Sequence, residues 1–287
     1  MTSTPTARAG APAKAPVPAK TGPRRAGLGG KRHRVGLASK LIAIATVLIG
    51  WQLVAMSRVA GDSLPTPVEV LEALIGLWGT SDYWTAIGTT LRAWAIGLAL
   101  CAVIGIPVGL LLGVSLRATQ STRWIIDFFR TIPTIALLPL VLLLFGASAR
   151  MEITMIVLAA IWPLLIQSMY AAKQVEPLLK WVVRVFRLST LDRLRYLWAP
   201  SVSLLVSTGM RLAATMALLM AISAEYIGGA PGLGTELSNV EEALRRPEVF
   251  AYAFTAAMLG LLINVLVVFI QRRLLWWHPI IRGERSA

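Results

Sequence analysis

Two arginines in apolar stretches are the side chains most able to bind a solute. Arg130 belongs to the sequence RTIPTIALLPL, and Arg211 lies in the middle of a long apolar run. A guanidinium group that faced lipid would be costly, so Arg211 is expected to face the interior of a helix bundle or a partner. Such cations favour an anion as ligand, and pairing with Asp127 and Glu225 is the structural alternative.

Polar and proline residues accompany the two arginines. Prolines free backbone carbonyl groups that neighbours or water must then satisfy, so the segment around Arg130 predicts a broken helix beside a cavity. A kink needed only for packing is the alternative. Around Arg211, polar side chains, that of Arg211 included, recur at spacings of three and four residues. The candidate solute-facing residues are Arg130, Thr131, Pro133, Thr134, Arg211 and Thr215.

Residues for catalysis or metal binding are sparse in this sequence. The one cysteine, Cys101, lies in an apolar segment, while His33 lies in the N-terminal tail and His278 beyond the last apolar segment. The Gly-Leu-Gly at 232–234 is not a phosphate loop, because it lacks the GK[ST] sequence and does not follow a β-strand of a soluble domain. We therefore expect no metal, no cofactor and no enzymatic activity in this chain.

The composition is that of an all-α integral membrane protein. Hydrophobic residues make up 56% of the chain and charged residues 15%, with a mean hydropathy of +0.69. A soluble globular domain has about 25% charged residues, so these helices are expected in a bilayer. Six apolar segments predict about six transmembrane helices, at residues 41–59, 93–116, 125–145, 153–169, 202–222 and 251–270.

Charge alternates along the chain in register with those six segments. Lys and Arg predominate in the tails and in alternate loops, and such residues remain on the cytoplasmic side. Both termini are therefore predicted to be cytoplasmic, in a multi-pass protein of the plasma membrane. Residues 1–38, which contain neither an acid nor an aromatic residue, are predicted to be a disordered tail attracted to membrane lipid, without nucleic-acid binding. Residues 39–275 would form the membrane domain, and 276–287 a C-terminal tail.

The second apolar segment carries a small residue at every fourth position: Gly97, Cys101, Gly105, Gly109 and Gly113. On a helix these residues fall along one stripe, which allows another helix to approach closely in lipid. The stripe therefore predicts packing and no chemistry. Upstream of it, apolar residues between 68 and 77 indicate an amphipathic surface helix.

The longest polar connection between spans runs from Tyr170 to Pro200 and is rich in Lys and Arg. Glu176-Pro177 is typical of the first turn of a helix. Ser189 followed by Asp192 predicts a capping box that opens a second helix, which would end before Pro200. The two helices would lie under the membrane as a docking surface, with a solvated connector as the alternative.

Several segments, in the correct order, resemble the permease subunits of binding-protein-dependent ABC importers of the nitrate/sulfonate/taurine type. The segments are LPTP at 64–67, RTIP at 130–133 with a later Pro139, VEP at 175–177 with Ser189, and EYIG at 225–228 with GLG at 232–234. The resemblance covers roughly residues 41–275. It implies the six-span fold of a type I importer permease, with a cytoplasmic coupling loop at 170–200.

That resemblance also implies a division of labour among several chains. Two permease subunits, as a homodimer or a heterodimer, would form a translocation path lined by the solute-facing residues. Two cytoplasmic P-loop ATPases would hydrolyse ATP, and an extracytoplasmic binding protein would deliver a small solute such as a sulfonate, taurine or nitrate. The residues expected to couple to the ATPase are Val175, Glu176, Pro177, Trp181, Arg184, Phe186, Arg187, Leu188, Ser189 and Asp192.

The coupling loop departs from the family pattern at two places. Residues 181–183 are Trp-Val-Val where Glu-Ala-Ala is usual, and Arg187 stands where glycine usually ends the first helix. A left-handed backbone would cost Arg187 about 1 kcal/mol, so either the turn is rebuilt or this side chain contacts the ATPase. An Arg187→Gly variant is then expected to lose or alter its coupling to ATP hydrolysis. Unchanged transport would make Arg187 a neutral surface residue.

Other classes of membrane protein are the alternatives. An ion-gradient-driven transporter or channel would carry acidic residues in mid-span, whereas Asp127 and Glu225 lie near span ends. A membrane enzyme would need clustered catalytic residues at one membrane face. A non-transporting scaffold that retains the permease fold is favoured only by the altered coupling loop.

Overall fold

The computed structural model describes residues 37–57, 63–175, 181, 185–186 and 189–276. Their regular structure is helical, which confirms the all-α fold. The helices are α1, Leu37–Met56; α2, Pro67–Trp78; α3, Ser81–Val114; α4, Leu116–Thr131; α5, Leu138–Phe145; α6, Ala149–Lys173; α7, Ala199–Gly228; α8, Leu233–Glu242; and α9, Arg246–Leu274. The chain divides into two compact units, residues 1–46 and residues 47–287, and α2 to α9 belong to the second. The predicted tails lie outside the described residues, apart from 37–38 and Trp276.

Four helices are long and apolar enough to cross a membrane: α3, α6, α9, and α7 together with the turn before it. α4 and the segment Thr134–Phe145 pass the same test only as a pair, bent by 74°. The apolar part of α1, Leu41–Met56, is a shorter helix. Five of the predicted spans thus coincide with these helices, the third of them as a broken span, and the first corresponds to the shorter α1.

Two prolines explain the bend in the third span. Ile132 has the extended backbone that a following proline favours (φ −69°, ψ 121°), so α4 ends at Thr131. A 3₁₀ turn, Thr134–Leu137, follows, and Pro139 then stands in the first turn of α5, where its missing N–H has no helical partner. The broken helix that the sequence predicts is therefore present.

The core of the bundle is the contact of α6 with α3 and α7. The predicted stripe of small residues on α3, from Gly97 to Gly113, is buried along its whole length. Gly109 and Gly113 lie against backbone carbonyl groups of α6, so a Cβ atom at either position would collide with them. Trp94 of α3 also donates its indole N–H to the carbonyl oxygen of Ala214 on α7, at 3.0 Å. The close approach that the stripe predicts is confirmed.

α2 begins with a capping box. Thr66 Oγ1 accepts a hydrogen bond from the Glu69 N–H at 3.3 Å, and Glu69 Oε2 accepts one from the Thr66 N–H at 2.8 Å. Removing this hydroxyl in Thr66→Ala is expected to destabilise the protein by about 1 kcal/mol, measured as a lower midpoint of thermal unfolding in detergent. Thr66→Ser keeps the oxygen and is the control. If it melted as low as Thr66→Ala, the lost cap would not be the cause.

Candidate functional site

Arg130 and Thr131 line a cavity of about 440 Å³ between α4 and α6. The carboxylate of Asp127 lies between two cations, with one oxygen 3.7 Å from Arg123 Nε and the other 3.7 Å from Arg130 Nη1. Lys173 lines the same cavity. Three cations thus face a single carboxylate, and because exposed ion pairs are weak, the cavity keeps a positive potential that favours an anion. The expected contact between Arg130 and Asp127 is present beside that cavity.

Pro133 and Thr134 form the bend of the same broken span. Pro133 precedes the 3₁₀ turn, and Thr134 is its first residue. Thr131 is the last residue of this segment that lines the cavity, so Pro133 and Thr134 do not line it. The structure therefore groups Arg130 and Thr131 with the cavity, and places Pro133 and Thr134 at the bend.

Arg211 and Thr215 lie on an exposed face of α7, next to α9. Arg211 Nε donates a hydrogen bond to Asn264 Oδ1 of α9 at 3.0 Å, and Thr215 Oγ1 donates to the Arg211 carbonyl oxygen at 3.1 Å. Glu225 stands fourteen residues farther along the same helix, a distance of about 21 Å at the helical rise. Pairing of Arg211 with Glu225, the structural alternative, is therefore wrong. The structure places this face of α7 and the cavity at Arg130 as two separate cationic positions.

Half of the predicted coupling residues are described. Val175 is buried against Leu197 and Val202, where the connection leaves α6. Trp181 and Phe186 are exposed, at 59% and 71% of their surface. The other members before Ser189 lie outside the described residues: Glu176, Pro177, Arg184, Arg187 and Leu188. The described part of the loop thus presents aromatic side chains at the surface.

Ser189 and Asp192 form a cap at the start of the next helical segment. Ser189 Oγ accepts a hydrogen bond from the Asp192 N–H at 3.2 Å and donates one to the Asp192 carboxylate at 2.6 Å. The prediction that this helix ends before Pro200 is wrong, because the backbone continues through a π-helical turn, Arg193–Trp198, into α7. Pro200 stands in the first turn of α7, and the wider turn before it accommodates the missing N–H.

Two buried acids, Glu152 and Glu225, lie at the end of the bundle opposite to the coupling loop, and the sequence did not predict this pair. Glu152 is in the first turn of α6 and Glu225 in the last turn of α7, with 2% and 0% of their surface exposed. Glu225 Oε2 accepts a hydrogen bond from the Gly234 N–H at 2.8 Å, and Thr90 Oγ1 accepts one from the Leu233 N–H at 2.9 Å. In the sequence, the one feature that distinguishes Glu152 is that it is an acidic residue in the first turn of a helix. Within the described residues, no group of three or more His, Cys, Asp or Glu side chains could hold a metal ion.

Comparison with known proteins adds a family and a fold. The family model described as "Binding-protein-dependent transport system inner membrane component" matches residues 105–275. The chain is 30% identical to the nitrate import permease protein NrtB of Leptolyngbya laminosa, over 79% of this chain and 84% of that protein. It is 26% identical to the putative aliphatic sulfonates transport permease protein SsuC of Bacillus subtilis, over 88% of this chain and 92% of that protein. A solved structure of the inward-facing MetNI methionine ABC transporter matches with a TM-score of 0.59 at 18% identity, over 67% of this chain and 95% of that chain, and shares the fold.

Proposed function

Because this chain belongs to the family of binding-protein-dependent transport system inner membrane components, we propose that it is the permease subunit of an ATP-driven importer of a small anion. Membership makes it an integral membrane transport component rather than an enzyme. The observation that supports an anionic solute is the position of Arg211, a cation exposed in the middle of a span. Such a side chain is retained in a membrane where it serves a partner or a pathway.

The relatives and the geometry of Arg211 support the same class of solute. NrtB is named for nitrate import and SsuC for aliphatic sulfonate transport, and both solutes are anions. Within the guanidinium group of Arg211, only Nε has a hydrogen-bond partner among the described residues. The other N–H groups of this planar group remain able to bind an oxyanion. We assign the translocation path to the face that carries Arg211 and Thr215. The cavity lined by Arg130 and Thr131 is a second position that would attract an anion.

The partners in this proposal are separate chains. P-loop ATPases would dock on the cytoplasmic coupling loop, where Trp181 and Phe186 are exposed aromatic anchors of the kind that dominate protein interfaces. A second copy of this permease, or a paralogue, completes the path, and an extracytoplasmic binding protein delivers the solute. In this arrangement both termini are cytoplasmic, and the bundle end that holds Glu152 is outside.

Reconstitution into proteoliposomes tests the proposal. The permease is purified with the P-loop ATPase that co-isolates with it, and uptake of labelled nitrate, taurine and a short alkanesulfonate is measured with the solute-binding protein present. Uptake of at least one of these anions is expected to require ATP hydrolysis. Uptake that persists without ATP but collapses with the ion gradient would overturn the assignment.

The buried acids Glu152 and Glu225 favour one competing function, a transporter driven by a proton gradient. Proton-coupled transporters carry carboxyl groups inside their spans, and both of these side chains are buried in the bundle. A protonophore discriminates between the two functions in the same vesicles. It leaves ATP-driven uptake unchanged, and it abolishes uptake that depends on a proton gradient.

A further inference from the structure

Glu152 and Glu225 interact with each other, and the described residues offer neither of them a cation. In each side chain the oxygen Oε1 is buried without a hydrogen-bond donor among the described residues. Met151 and Ala224, the residues that precede the two acids, pack in one buried cluster, so the two carboxyl groups are neighbours. No ion pair between two described residues involves either of these carboxyl groups. Two carboxylates contain only acceptor atoms, so neither group can donate a hydrogen bond to the other unless one of them carries a proton.

We propose that Glu152 and Glu225 share one proton, and that this acid–carboxylate hydrogen bond fastens the start of α8 to α6 and α7. Leaving both groups ionised would bury two unpaired charges of the same sign, at a large cost in desolvation and repulsion. One proton removes one charge and supplies the missing donor. The protonated carboxyl group donates its O–H to the other, so the pair supplies from within itself the donor that the buried oxygens lack.

The proton resides on Glu152, because Glu225 has the better environment for a negative charge. Glu225 Oε2 accepts the Gly234 N–H at 2.8 Å. Gly234 is in the first turn of α8, where the unpaired N–H groups and the helix dipole stabilise an anion. Glu152 is therefore the donor, and Glu225 is the carboxylate that joins two helices.

The glycines around Glu225 show how closely the pair is enclosed. A Cβ atom at Gly232 would collide with the Glu225 carboxyl group, and one at Gly234 would collide with the backbone of α7. Thr90 Oγ1 accepts the Leu233 N–H at 2.9 Å, so α3 holds the same turn. The start of α8 is thus built against the Glu225 carboxyl group, with no space for a side chain between them.

Glu152 and Glu225 are therefore positioning residues that keep α8 seated on three spans. The link lies at the bundle end remote from the coupling loop, because α6 begins there and α7 ends there. In a permease that alternates between two conformations, this link either persists through the change or breaks during it. Only this last consequence rests on the proposed function.

Two substitutions of similar size at position 152 test the hydrogen bond. Glu152→Gln keeps a donor toward Glu225 without a charge, so its midpoint of thermal unfolding is expected to stay close to that of the unmodified protein. Glu152→Met has a similar length and offers no donor. Its midpoint is expected to fall, because the Glu225 carboxylate loses its partner. Equal midpoints for the two variants would overturn the proposal.

Infrared spectroscopy of the full-length protein in lipid at neutral pH detects the proton itself. The carbonyl-stretch band of a protonated carboxylic acid is expected in the unmodified protein and absent from Glu152→Gln. Glu72→Gln removes an exposed carboxylate on α2 and is expected to leave the band unchanged. A missing band in the unmodified protein, or a band that survives Glu152→Gln, would overturn the proposal. Neither the spectrum nor the melting experiment requires uptake, so this inference and the proposed function can fail separately.

Discussion

Replacing Gly109 by alanine is expected to destabilise the protein by about 1–3 kcal/mol, the range typical of overpacking a close-packed core. The added methyl carbon would lie 2.5 Å from the Leu165 carbonyl oxygen and 2.7 Å from Ser168 Cβ. A flexible side chain can move aside, but a backbone oxygen yields only if α3 and α6 separate. The measurement is the midpoint of thermal unfolding in detergent, together with the fraction of protein that is monodisperse in size-exclusion chromatography.

Gly88→Ala is the matched control, because it makes the same chemical change on the same helix. A Cβ atom at Gly88 would meet no atom within 4 Å. Only helix propensity then changes, which favours alanine by about 0.5–1 kcal/mol. The midpoint of Gly88→Ala is therefore expected to stay level or to rise. If both variants fell equally, close packing of α3 on α6 would not be the reason for glycine at position 109.

Replacing Arg211 by glutamine is expected to lower ATP-dependent uptake of an anion roughly tenfold or more, because a hydrogen bond to a charged group contributes about 1.5–3 kcal/mol. Glutamine retains an amide that can contact Asn264, but it has no charge to attract an anion into the path. The measurement is the initial rate of uptake in proteoliposomes, normalised to the amount of permease. Thermal unfolding should change little, since the side chain is exposed.

Two further variants separate the charge of Arg211 from its position. Arg211→Lys keeps the charge without the planar fork of donors, so partial uptake is expected. Asn264→Ala removes the hydrogen bond that positions Nε, and it should lower uptake less than Arg211→Gln does. Full uptake by Arg211→Gln would make Arg211 a structural residue and would remove the main support for an anionic solute.

Much of the architecture could be predicted because it depends on neighbouring residues. Pro133 favours an extended backbone at Ile132 whatever surrounds it, so the broken span was visible in the sequence. The spacing of small residues from Gly97 to Gly113 places them on one helix face, and that face is the one buried against α6. The candidate site was predicted less completely. Arg130 was placed beside a cavity, whereas Glu225, the alternative partner offered for Arg211, was wrong and Glu152 was not recognised.

The sequence by itself determined which segments are apolar enough for a membrane, where the third span breaks, and which face of α3 packs closely. Only the tertiary structure decided which polar groups meet: the Arg211 side chain with Asn264, and the Glu225 carboxylate with the Gly234 N–H. Helix periodicity and capping are local properties, whereas the meeting of two side chains depends on how whole helices rotate and shift against one another. Pro200 illustrates the same limit, because a proline there is compatible both with the end of one helix and with the first turn of the next. Its place in the first turn of α7 is a property of the packed bundle.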